Sequence, residues 1–111
     1  MLGYLVCKFV FIKSKVMFII NINYIVSLEI VDANLTLHQE YLKKHYGQHV
    51  FLASGRKVPR TGGIILAIAD SREIIEQIVL EDPFNKMGIA EYVITEFVPS
   101  MHQPELKNLL S

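Results

Sequence analysis

Apolar and polar positions alternate with period two along Phe18–Val26, and aromatic and β-branched types dominate the run. That pattern predicts a strand. Phe18, Ile20, Ile22 and Tyr24 fall on one face, and Ile19, Asn21, Asn23 and Ile25 on the other. The first face suits a packed core. The second mixes amides with apolar groups and suits a ligand or subunit surface as well as plain exposure. The period then changes. Ser27 is a candidate N-cap, and Leu28, Val31, Leu35, His38, Leu42 and His45 follow a 3-4-3-4-3 spacing. One helix to about Tyr46 is predicted, with Gly47 as its stop.

The second half repeats the alternation of periods. His49–Ser54 reads as a short strand, and Gly63–Ala69, apolar on both faces, reads as a strand covered from both sides. Gly55–Gly62 joins them and is longer than the roughly 2–5 residues of most hairpin loops. Asp70 or Ser71 can cap the next helix. Ile74, Ile75, Ile78 and Val79 form its inward stripe, with Glu73, Glu76 and Gln77 outward. Pro83 disfavours helical geometry at Asp82, so the helix is predicted to end there with one carboxylate at an element boundary. Gly88 permits a tight turn before a last strand, Ala90–Phe97, and Glu105–Leu110 reads as a short terminal helix. The order β-α-β-β-α-β predicts an α+β, ferredoxin-like domain, an antiparallel sheet with both helices on one face. Its other face needs a cover, and a core of about 80 residues is marginal. Two such sheets packed face to face predict a twofold dimer.

Met1–Val16 stands apart. It is apolar but broken by Lys8, Lys13 and Lys15, too charged for a membrane span of about 20 residues. The lysines follow the apolar part, whereas a secretory signal carries them first. The segment reads as an upstream extension, with residues 17–99 as the domain and 100–111 as a tail. The rival reading is an extra strand at a sheet edge.

Composition narrows the function classes. Hydrophobic residues make up 51% of the 111-residue chain, so a packed core is feasible. Eleven basic and eleven acidic residues balance, without the basic excess of a nucleic-acid binder. A single cysteine, Cys7, excludes an internal disulfide and a Cys-rich zinc site, and fits a reducing, cytoplasmic setting. His38 and His45 share a helix stripe but stand about 10 Å apart along its axis, too far for one ion. No metal site is therefore expected. Ser54 sits at a strand end without a nucleophile elbow. The cations Arg56, Lys57 and Arg60 in a glycine-rich connection could hold a carboxylate or phenolate, or simply decorate a solvated hairpin. His38 lies on the packed stripe between Leu35 and Leu42, where a core histidine and a catalytic one have the same spacing.

Three stretches carry a resemblance. Asp82-Pro83-Phe84 ahead of Gly88, His38 in His-Gln-Glu-Tyr-Leu, and the run Ser54–Ile65 occur together and in order. This pattern resembles the YciI-like (YCII-related) family over roughly Met17–Pro99. The resemblance implies a dimeric α/β barrel and a His–Asp pair at His38 and Asp82. It also implies pocket and loop residues at Ser54, Gly55 and Arg60; on the enzyme reading, Lys57 or Arg60 is the binder of an anionic oxygen. Such a pair moves protons without a cofactor. Some similar proteins eliminate halide from chlorinated hydroxylated aromatics, and others of the wider barrel fold isomerise lactones. The expected function is proton-transfer chemistry on a small molecule. A non-catalytic small-molecule-binding or accessory module is the alternative, and neither reading involves a membrane or nucleic acid.

Overall fold

A computed structural model describes residues 15–110. The expected extension Met1–Val16, with Cys7, lies outside the described residues except for Lys15 and Val16. The elements are β1 (Val16–Tyr24), α1 (Leu28–Ala33), α2 (Leu35–Gly47), β2 (Phe51–Arg56) and β3 (Gly62–Ala69). They continue with α3 (Arg72–Leu80), the one-turn α4 (Pro83–Lys86) and β4 (Ala90–Phe97). A 3-10 turn at Pro104–Leu106 then leads into α5 (Lys107–Leu110). The strands form one antiparallel sheet in the order β2-β3-β1-β4. A central β1, flanked by β3 and β4, the two strands that the second helical crossover joins, fits the ferredoxin-like arrangement expected from the element order.

Alternation along β1 sets the core. Phe18, Ile20 and Ile22 are buried on the helix side with Ile65 and Ala67 of β3, against Val31, Tyr41, Ile75 and Phe84. Each fully buried large side chain contributes roughly 1.5–3 kcal/mol, so this face carries most of the stability. On the other face Met17 and Ile68 pack beneath Leu110, flanked by Leu52, Leu66 and Leu106. The tail thus covers one end of that face. The middle stays open, with Val93 56% exposed.

Two glycines are required by geometry. A Cβ on Gly62 would stand 1.8 Å from the Ile22 carbonyl oxygen, so β3 approaches β1 closely only because that position is bare. Gly88 has φ +68, the left-handed turn conformation expected ahead of β4.

Several boundaries differ from the sequence reading. The single helix predicted to Tyr46 breaks at Asn34, whose Nδ2 donates to the Ile30 carbonyl at 3.0 Å. Asn side chains compete with the backbone in this way. The break ends the continuous stripe, and Leu28 is 42% exposed. In α3, Ile75, Ile78 and Val79 face inward while Ile74, one position off their row, is 42% exposed. That helix stops at Leu80 rather than at Asp82. The strand predicted at His49–Ser54 is shifted to Phe51–Arg56, because His49 takes φ 60 in a turn off α2. Arg56 pairs with Gly63, which shortens the loop predicted at Gly55–Gly62 to residues 57–61.

Candidate active site

Pro83 forces Asp82 into extended backbone (φ −65, ψ 124) and starts α4 behind it. Asp82 therefore does not end a helix; it is the N-cap of the next one. Its Oδ1 accepts from the Phe84 N–H at 3.0 Å, the usual capping bond. The same turn aims the carboxylate at α2, where Oδ1 also meets His38 Nδ1 at 2.9 Å. Oδ2 accepts from the Tyr92 hydroxyl at 2.5 Å. Asp82 is wholly buried, and its donors come from α2, the start of α4, and β4.

This arrangement fixes the imidazole. An ionised carboxylate only accepts, so in this contact Nδ1 donates, and in the neutral ring of that tautomer the lone pair is on Nε2. The His38 ring also lies flat on Phe84, with centroids 4.1 Å apart and planes within 2°. Burial first, then the charge of Asp82 and the hydrogen bond to it, push the Tyr92 hydroxyl far above its ordinary range. It therefore remains a donor at any ordinary pH. Tyr41 is raised in the same direction, by burial, then by Asp82 and Glu81, and donates to the Ile78 carbonyl at 3.0 Å.

His38 forms part of the wall of a cavity of about 470 Å³ between α2 and the helix-side face of β1, β3 and β2. Leu35, Leu42, Ile65 and Phe84 make much of it apolar. The volume falls in the range of small-molecule sites, about 300–1,000 Å³. With Nδ1 committed to Asp82, Nε2 is the ring nitrogen left for a molecule in this space.

The other residues singled out from sequence divide. Ser54, Gly55 and Arg60 line the cavity, and Ser54 Oγ lies 2.7 Å from the Tyr46 hydroxyl. Lys57 does not line it; its Nζ donates to Asn23 Oδ1 at 2.6 Å. Arg60 Nη2 donates to Asp32 Oδ1 at 2.5 Å. The two groups stabilise each other's charge: the hydrogen bond from Arg60 holds the Asp32 carboxyl below the usual range and raises Arg60 further. His45 belongs to a separate cluster. Its Nε2 lies 3.0 Å from Glu81 Oε1, which also accepts from Lys44 Nζ at 2.9 Å. Lys44 first, then His45, lower the Glu81 carboxyl. Among the described residues no group of three or more metal-ligating side chains converges.

Sequence reasoning missed Tyr92, Phe84 and Tyr41 as parts of the site. One signal was present: the inward row of β4 reads Ala90, Tyr92, Ile94, and a tyrosine on a buried row needs a partner for its hydroxyl.

The sequence profile of the YCII-related domain matches residues 16–98. The chain belongs to the YCII-related family. Both the family match and β1 begin at residue 16. Among solved structures, this YCII-related protein is similar to 5-chloro-2-hydroxyhydroquinone dehydrochlorinase from Burkholderia phenoliruptrix AC1100, in complex with 2,5-dihydroxybenzoquinone. The two share 20% identity and a TM-score of 0.65 over 74% of this chain and 93% of the other. At that identity the likeness carries the fold. No curated protein matches the chain. Among the described residues no helix is long and apolar enough to cross a membrane.

Proposed function

We propose that this YCII-related protein is a small-molecule enzyme in which the His38–Asp82 pair transfers a proton. The reaction is an elimination, such as dehydrochlorination, or an isomerisation, on a hydroxylated aromatic or lactone-type substrate. The observation that carries this reading is the 2.9 Å contact between His38 Nδ1 and a buried, fully bonded Asp82, set in the wall of an apolar cavity. Nε2 takes a proton from the substrate, and the bond that held it leaves its electron pair behind. In an elimination that pair forms the new double bond while chloride departs with the electrons of the C–Cl bond. In an isomerisation the proton returns to a different carbon. Asp82 offsets the charge of the imidazolium in both cases. Tyr92 is a positioning residue that holds the second Asp82 oxygen, so that the first stays aimed at His38. Proton transfer of this kind needs no cofactor. The likeness to a dehydrochlorinase supports the elimination branch.

The working unit on this reading is a twofold dimer whose open sheet faces pack into a barrel. Its support is the uncovered middle of that face, where Val93 is exposed. The catalytic reading is tested by chloride release and lactone isomerisation across chlorinated hydroxyquinols and unsaturated lactones. The wild-type protein is expected to turn over at least one of them, and folded His38→Gln to be about 100-fold slower or worse. A wild-type protein that binds members of the panel and converts none would return the chain to the non-catalytic alternative.

A further inference from the structure

The three cations of the β2–β3 hairpin are not equivalent. Lys57 is turned away from the cavity onto Asn23, and Arg60 is bound to Asp32. The Arg56 side chain has no hydrogen bond or ion pair among the described residues, and it lines the same cavity as His38. The register explains its direction. Ser54 pairs with Ile65 and Arg56 with Gly63, so both side chains leave β2 on the sheet face that carries buried Ile65, the face beneath α2. The charged side chains on the cavity wall, besides His38, are Asp32, Arg56 and Arg60. Two of these neutralise each other. One positive charge is left over, and it is on Arg56.

We infer that Arg56 is the group that holds an anionic oxygen of the substrate, a phenolate, enolate or carboxylate, while the Asp32–Arg60 pair walls the cavity without binding that oxygen. The inference rests on the function proposed above and adds its electrostatic half. When His38 Nε2 removes a proton, the electron pair left on the substrate delocalises onto an adjacent oxygen. A guanidinium can take that oxygen with two parallel N–H donors and stabilise it where the charge develops. The base enters from the α2 wall and the cation from the β2 wall. The cavity therefore favours a flat, mostly apolar molecule with one ionised oxygen at the end away from His38.

The test uses the full-length protein and 2,5-dihydroxybenzoquinone as probe, followed by calorimetric titration at low and high salt. Arg56→Gln is expected to weaken binding about tenfold or more, the size of a lost charged hydrogen bond, and to flatten its salt dependence. The paired variant Asp32→Asn with Arg60→Gln removes both charges together and leaves the net charge of the cavity as it was. Its affinity is expected to stay within about threefold of wild type. Wild-type-like binding by Arg56→Gln would overturn the inference. So would a loss in the paired variant as large as in Arg56→Gln, or a wild-type protein that does not bind the probe. These results concern binding alone. The proposed function fails separately, if turnover proves independent of His38.

Discussion

Both oxygens of Asp82 are occupied, one by His38 and the Phe84 N–H and the other by Tyr92. Losing any one donor therefore has a defined consequence. Tyr92→Phe leaves Oδ2 of a wholly buried carboxylate without its hydroxyl, and is expected to lower unfolding free energy by about 1–3 kcal/mol in urea titration. The same residue sets a pH dependence. Burial raises Tyr92 and Tyr41 above their ordinary value of 10.0, so above that pH the unfolded chain loses phenolic protons that the folded protein keeps. Stability is fully present below about pH 10 and falls as pH rises beyond it, and Tyr92→Phe should make that alkaline decline shallower. An unchanged slope in the variant would mean that Tyr92 does not carry the raised group. At this scale the helix stripe placed His38 inward and the proline placed Asp82 at an element boundary, but spacing alone did not pair them; the family resemblance did. Tyr92 was not singled out, because a tyrosine in a β-alternation looks like any amphipathic core residue until its partner is placed.

Element order followed directly from the periods, because a switch between 2 and 3.6 survives small errors in boundaries. The boundaries were harder. The spacing of Val31 and Leu35 runs straight through Asn34, so nothing in the apolar pattern marks the break between α1 and α2; the Asn34 side chain decides it by bonding Ile30. The β2–β3 hairpin was read as too long, because glycines that look like loop residues lie in the ladder. Gly62 opposes Asn23, and a side chain there would meet the backbone of Ile22. Gly62→Ala is therefore expected to cost more than about 2 kcal/mol or to prevent folding, since the obstacle is backbone rather than a flexible side chain. Chemical denaturation checks this against Gly47→Ala, where a Cβ meets nothing within 4 Å. Equal stability of the two variants would contradict the close approach of β3 to β1.

For the whole molecule the open question of packing is the second sheet face. The tail helix α5 covers Met17 and Ile68 at one end, but Val93 stays exposed. A sequence could announce that this face needs a cover, since Asn21 and Asn23 alternate there with isoleucines, but not what supplies it. Static light scattering at micromolar concentration is expected to give twice the chain mass; monomer alone would contradict the dimeric barrel. The cavity lies on the opposite, helix-covered side of the sheet, so the proposed chemistry can be measured apart from the proposed assembly. Exchange of the ring hydrogens of 2,5-dihydroxybenzoquinone with deuterium oxide, read by mass spectrometry, reports proton transfer at a bound molecule without requiring the physiological substrate. If His38 is the base, wild-type protein accelerates exchange over buffer, while His38→Gln binds the probe and loses that acceleration by about 100-fold or more. Equal acceleration by His38→Gln, or none by a wild-type protein that binds the probe, would contradict it.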